Sequence, residues 1–305
     1  MKTFAARTSG IRVESFLQLV ASGIATGIIY GSLGLAFVLV FQATRTLNLA
    51  QGEIAALGTF GAWTLLGLGL PYWLVFVLMI AVSFLGGFAI HRVLIRPLDG
   101  KSHFSVIVVT LALLLGINGL DLFVWGGDLN QFPTPFGQRP INLAGVIVSA
   151  HDLGTIAVLV AVLVLLYLLM ERTSIGLVLR ATAQNRVSAE LIGIPTDLTV
   201  GVGWGLASAL GTIAGILAAP VAFLEPGMMI NLLPYALAAI TLGGLTSPVG
   251  ALVGGILVGV FENLVGNYVG FIGQDLKLPV VLLLMAIVLL FRPQGLFGRL
   301  EITRV

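Results

Sequence analysis

Six stretches of this chain, residues 16–41, 72–90, 104–120, 153–170, 198–224 and 235–261, contain no acidic or basic residue. A hydrocarbon core of roughly 30 Å takes about 20 helical residues at about 1.5 Å each, and each run is close to that length. Composition closes the alternative of a soluble core. A soluble domain carries about a quarter charged residues, whereas this chain has 9%, with 58% hydrophobic residues and a mean hydropathy of +1.10. The expectation is an all-α, polytopic integral membrane protein forming a single transmembrane domain over residues 1–305. Adding shorter apolar stretches brings it to about eight membrane segments, including broken or re-entrant helices.

Glycine supports the same class. Apolar helices in lipid gain nothing from hiding from water, so they associate where small residues let backbones touch. Gly23, Gly27 and Gly31, Gly211 and Gly215, Gly250 and Gly254, and Gly255 and Gly259 all have the four-residue spacing that lines up one helix face. They read as packing surfaces. The chain has no cysteine, which removes disulfides, thiolates and cysteine-ligated metals.

Sidedness follows from loop lysines and arginines, which collect on the cytoplasmic side of membrane proteins. Residues 91–103 contain Arg92, Arg96 and Lys101. Residues 171–197 contain Arg172, Arg180 and Arg186, and the tail after residue 291 contains Arg292, Arg299 and Arg304. These three segments, the C-terminus included, are expected in the cytoplasm, with 126–152 and 225–233 outside. The run after Lys2, Arg7 and Arg12 is too long for a signal-peptide core and lacks a small-residue cleavage site, so it reads as a retained span.

Counting crossings from the loop near Glu225 to the tail requires an interruption inside residues 234–269, and residues 243–250, rich in glycine, are the obvious place. Upstream, three apolar stretches precede the basic loop at His91. Either the N-terminus lies outside despite its basic residues, or the region between Arg45 and Glu53 is re-entrant. The two interruptions, 42–52 and 243–250, fall one in each half of the chain. Paired broken helices point to a translocation path.

The polar residues at these places are the site candidates: Asn48, Gln51, Glu53, Asn118, Thr246, Ser247 and Glu262. Each has a plainer reading. Glu53 favours the positive end of the helix it opens, and Asp121 is expected to be solvated at the interface because charge within lipid is costly. Within the polar segment 171–198, residues 184–192 read as a short helix capped by Asn185 and stopped by Gly193 and Pro195. Ala183, Val187 and Leu191 would form one face of it, with Arg186 and Glu190 alongside. Such a helix is either a docking surface or an interfacial connector.

Catalytic readings lack residues to carry them. His91, His103 and His151 do not have metal-ligand spacing. No GxxxxGK[ST], HExxH or GxSxG pattern occurs. No catalytic group, cofactor or nucleic-acid partner is implied, and energy for transport would have to come from a partner or an ion gradient.

With these residues in place, the chain resembles the membrane permease subunits of bacterial branched-chain amino acid ABC importers, the LivH type. Asn48-Leu-Ala-Gln-Gly-Glu-Ile-Ala-Ala-Leu-Gly58 is similar to the family's Asn-Phe-Ala-His-Gly-Glu segment, departing at Leu49 and Gln51. His91-Arg-Val-Leu-Ile-Arg-Pro97 resembles its basic loop. Ser174-Ile-Gly176, Arg180-Ala181, Asn185, Ala189 and Leu191-Ile-Gly-Ile194 resemble the loop that meets the ATPase. Leu242-Gly-Gly-Leu-Thr-Ser-Pro-Val-Gly-Ala251 and Arg292-Pro-Gln-Gly-Leu-Phe-Gly298 complete the set. The resemblance implies two permease subunits (the second a related LivM-type chain), two cytoplasmic ATPases and an external binding protein, assembled in the bacterial inner membrane. It makes 184–192 the coupling helix, with Arg180, Asn185, Ala189, Glu190 and Gly193 as its ATPase-coupling residues. Substrates implied are branched-chain or other amino acids, the alternatives being urea or short amides. A stand-alone secondary transporter or channel would also suit the broken helices.

Overall fold

The computed structural model describes residues 2–44, 46–98, 101–137, 139–143, 146–270, 273 and 276–298. Arg45, Arg299 and Arg304, counted above, lie outside the described residues. Eleven α-helices are present among the described residues: α1 (Lys2–Thr44), α2 (Gln51–Gly67), α3 (Tyr72–Ile90), α4 (His103–Trp125), α5 (Ala150–Arg172), α6 (Ser174–Gln184), α7 (Arg186–Leu191), α8 (Thr196–Ala222), α9 (Met228–Gly243), α10 (Pro248–Tyr268) and α11 (Lys277–Phe291). Six of them contain spans long and apolar enough to cross a bilayer, and α9 and α11 are shorter apolar helices. That total matches the expected polytopic membrane fold. The sole sheet among the described residues is a hairpin of β1 (Pro140–Leu143) and β2 (Val146–Ser149), antiparallel with Pro140 opposite Ser149, placed between α4 and α5.

The glycine spacing is explained by the pairing of α1 with α10. These helices run antiparallel with their backbones in contact. A Cβ on Gly27 would lie 2.5 Å from the Gly255 carbonyl oxygen, and one on Gly23 would lie 2.6 Å from the Val260 Cα. No side chain fits between them, so these positions admit hydrogen alone.

The centre of the bundle is α8, whose residues from Val200 to Ala219 are almost continuously buried, Trp204 and Leu217 at 1% exposure. On one flank α3 runs antiparallel to it, with Gly205 against the Phe84 ring and Gly201 against Phe88. On another, α2 runs parallel, with Gly211 against Ala55 and Gly215 beside Thr59. Peripheral helices turn apolar side chains outward, as with Leu115 on α4, Leu165 on α5 and Leu290 on α11, all more than 60% exposed. Outward leucine on an intramembrane helix faces lipid.

Helix directions sort the connections onto two faces. Arg96 pairs with Asp197 at 2.8 Å. The last turns of α1 share a groove with Glu171, Arg180 and Pro248. The backbone after α11 is bonded to the end of α9, Leu296 N–H to the Leu242 oxygen at 2.7 Å and Phe297 N–H to the Gly243 oxygen at 3.0 Å. Residues 91–98, 171–197 and 292–298 therefore gather on one side, hereafter the basic face. Well before its last turns α1 reaches the other side, where Ala25 and Thr26 meet Val221 and Ala222. α1 runs towards the basic face and α2 away from it, so the N-terminal side of α1 is opposite the C-terminal tail.

Two expectations change in detail. The interruption within 234–269 is present, between α9 and α10, but α9 already begins at Met228, so residues 228–233 are helix rather than loop. α4 continues to Trp125, past the end of its uncharged run. That places Asn118 and Asp121 inside a helix and overturns the interface reading of Asp121, which is 0% exposed.

Candidate translocation and coupling sites

The first interruption is held by side chains. Asn48 lies in the turn between α1 and α2, 1% exposed. Its Oδ1 accepts from the Ala50 N–H at 3.1 Å, and its Nδ2 donates to Gln51 Oε1 at 3.1 Å. Asparagine is suited to this because a short amide can close a turn over its own following backbone. Gln51, fully buried, donates in turn to the Ala207 carbonyl of α8 at 2.9 Å. Ala207 is eleven residues into α8, about 17 Å from its basic-face end at about 1.5 Å per residue. So the chain turns back from the end of α1 and α2 begins deep inside the bundle. Glu53, 1% exposed in the first turn of α2, accepts from Asn118 Nδ2 at 3.3 Å.

The second interruption is held by backbone. Ser247 caps α10, its Oγ accepting from the Gly250 N–H at 3.0 Å, and the Thr246 carbonyl accepts from Gln42 Nε2 at 2.9 Å. Gly243 packs directly on Gly250, and Gly244, with φ of 109°, packs on Gly298 and the Gln294 carbonyl. This turn sits at the basic face under the tail. The two interruptions thus lie at different depths and are joined by Gln42, near the end of α1.

Glu262 stands apart from both. It is 8% exposed on α10, accepts from Tyr30 Oη at 2.9 Å, and lies 3.8 Å from Lys277 Nζ. Tyr30 stacks on Tyr235 with ring centroids 4.8 Å apart. The network ties α1, α9, α10 and α11 together away from the basic face. Sequence reasoning named Glu262 and missed Tyr30, Tyr235 and Lys277. The signal for Lys277 was present, since it is the one basic residue between Arg186 and Arg292.

On the basic face, α6 and α7 form an elbow at Asn185, whose Oδ1 accepts from the Ser188 N–H at 2.9 Å and caps α7. The break at Asn185 (φ −155°) puts Ala183 on α6, so Ala183, Val187 and Leu191 do not form one continuous helical face. Gly193, with φ of 85°, ends α7 in a left-handed conformation that a side chain would strain. Ala189 is buried at 3%. Glu190 accepts from Thr196 Oγ1 at 2.5 Å and pairs with Arg186, which also reaches Asp197 at 2.8 Å. Arg180 pairs with Glu171 on α5. These residues brace the elbow. What the elbow presents to its surroundings is Val187, Leu191 and Ile192, exposed at 67%, 83% and 77%. Three apolar side chains on a short surface helix and the residue that follows it form a patch that asks for a cover.

A helical bundle with a side-chain-braced interruption, a glycine seam and an amphipathic elbow on its basic face is a polytopic membrane protein of the permease type. Residues 19–291 match the family described as branched-chain amino acid transport system / permease component, and the chain belongs to that family. It is 27% identical to the high-affinity branched-chain amino acid transport system permease protein BraD of Pseudomonas aeruginosa, over 96% of this chain and 99% of that one. It is 30% identical to a probable branched-chain amino acid transport permease protein LivH of Methanocaldococcus jannaschii, over 87% of both. A more distant relative, the fructose import permease protein FruF of Bifidobacterium longum, is 23% identical over 72% of this chain.

Proposed function

We propose that this chain is a permease subunit of a binding-protein-dependent ABC importer for branched-chain amino acids, with its basic face and C-terminal tail in the cytoplasm. The observation that carries this is the elbow of α6 and α7. Val187, Leu191 and Ile192 form an uncovered apolar patch on the face where the basic segments gather, in a family member that has no nucleotide-binding motif of its own. A cytoplasmic ATPase is the partner such a patch fits. The braces Arg180–Glu171 and Arg186–Asp197 tie the elbow to α5 and α8, so a push on the patch moves those helices as rigid bodies.

Asn48 and Gln51 are buried within this single chain and turned on α8. In this reading they hold the start of α2 in shape, and the translocation path runs between this subunit and a second, related permease. An external binding protein delivers the substrate to the face opposite the elbow. Branched-chain amino acids are favoured as cargo by the full-length similarity to BraD.

The test is Leu191→Glu, alone and with Val187→Glu, in the assembled importer. The substitutions lie on exposed side chains and should alter permease stability by less than about 0.5 kcal/mol. Uptake and substrate-stimulated ATP hydrolysis should both fall by at least tenfold, with the ATPases lost or uncoupled. Undiminished coupled uptake would overturn the assignment of the elbow. Ligand binding to the cognate binding protein decides the cargo.

A further inference from the structure

Glu53, Asn118 and Asp121 meet where α2 packs on α4, in the apolar depth of the bundle. Asn118 and Asp121 are three residues apart on α4 and so share a face, and that face is turned to α2, because Asn118 donates to Glu53. Asp121 is thereby brought to the side of α4 that meets Glu53. Burial is nearly complete, 1% exposure for Glu53 and 0% for Asp121. Yet Glu53 Oε1 and both Asp121 carboxylate oxygens have no hydrogen-bond partner. An acceptor left empty at this depth is rare in native proteins and calls for an explanation.

No basic side chain supplies it among the described residues. The ionisable groups with described side chains on the elements packed against α2 and α4 are Tyr30 on α1, Tyr72 on α3, Tyr235 on α9, Asp197 at the start of α8, and His91 and Arg92 in the segment after α3. None of them is hydrogen-bonded to Glu53 Oε1 or to either Asp121 carboxylate oxygen. A second subunit cannot supply a charge either, since both carboxylates are sealed inside this chain. Two bare carboxylates buried at one helix contact in low dielectric lose their hydration and disfavour each other's charge. The compensating group must be small and positively charged.

We propose that Glu53, Asn118 and Asp121 bind one monovalent cation, a proton or a sodium ion, between α2 and α4. Asn118 orients Glu53 by bonding one of its oxygens, and the three unpartnered oxygens are the ligands left for the cation. α4 packs chiefly on α2, so the bound cation fastens α4 to the bundle immediately beside the first interruption. This inference stands on burial and geometry and is independent of the cargo and of the ATPase contact.

The experiment uses the purified full-length chain in lipid nanodiscs at neutral pH. Infrared spectra are compared between the wild type and Asp121→Asn, and thermal unfolding is followed in sodium chloride against choline chloride. A carboxylic-acid C=O band that disappears in Asp121→Asn identifies a bound proton. Absence of that band, with a sodium-dependent rise in unfolding temperature that Asp121→Asn abolishes, identifies sodium. Either result supports the site. Neither an acid band nor sodium dependence, or signals unchanged by the substitution, would overturn it. If Asp121→Asn does not fold, Glu53→Gln serves the same comparison with the same readings.

Discussion

The two interruptions of this bundle look alike in sequence and are built on opposite principles. At residues 46–50 the chain is held out of the helix by amide side chains, Asn48 bonding the Ala50 N–H and Gln51 anchoring the turn to α8. At residues 244–247 the side-chain contributions include the Ser247 cap and the Gln42 amide on the Thr246 carbonyl, and backbone contact does the rest. Four glycines, Gly243, Gly244, Gly250 and Gly298, let three stretches of backbone lie against one another, and tail N–H groups bond the last carbonyls of α9. A turn made of side-chain hydrogen bonds is adjustable, losing one bond at a time. A turn made of backbone contact fails wholly when a single carbon is added.

The sharpest way to break this contrast is Gly243→Val. The added carbons would be forced into the Gly250 carbonyl, which cannot move without displacing α10. The expected outcome is loss of folded protein, measured as monodisperse yield after detergent extraction, with no rescue from the conservative Gly243→Ala. Survival of Gly243→Ala with normal yield would show that the backbone turn is also adjustable.

Next in size is Gln51→Leu. It removes the anchor to Ala207 and leaves the Asn48 amide without its partner, a buried loss of about 1–3 kcal/mol. Thermal unfolding in nanodiscs should register it, with the protein still folded. Asn48→Ala should cost about 1 kcal/mol by opening the turn onto Ala50. Because Asn48 and Gln51 bond each other, the double variant should cost less than the two singles added, and strict additivity would show that they act separately. The smallest effect is expected for Ser247→Ala. It deletes one helix cap, typically worth about 1 kcal/mol or less at a partly exposed position, and the surrounding backbone contacts of the turn remain.

Much of the architecture was readable from particular residues. The uncharged runs located the spans, and the basic segments at Arg92–Arg96, Arg172–Arg186 and Arg292 do gather on one face. The four-residue glycine spacing on α1 and α10 marked a seam that the helices use. Asn185 and Gly193 marked the limits of α7, because capping and the left-handed stop are local chemistry. Asp121 was misread for a physical reason. A cost rule for charge in lipid describes an average environment, and only the packing of α4 on α2 placed this carboxyl in a protein interior. The depth of Thr246 and Ser247, at the basic face, against that of Asn48 and Gln51, within the bundle, is a tertiary property that the sequence does not carry. The elbow shows the same division. Ala189, Glu190 and Gly193 hold its shape, and the exposed apolar side chains are Val187, Leu191 and Ile192, which only the fold distinguishes.

The sequence by itself determined what depends on neighbours along the chain: span length, helix caps, glycine faces, the polarity of loops and the family to which these belong. The tertiary structure alone decided what depends on neighbours across the bundle. It chose which glycines touch, which face of α7 is bare, and how deep each interruption lies. It also brought Glu53 on α2 to Asn118 and Asp121 on α4, residues 65 and 68 positions away. The reason is that burial and electrostatic partnership are set by packing between helices, and packing between helices is not periodic in sequence.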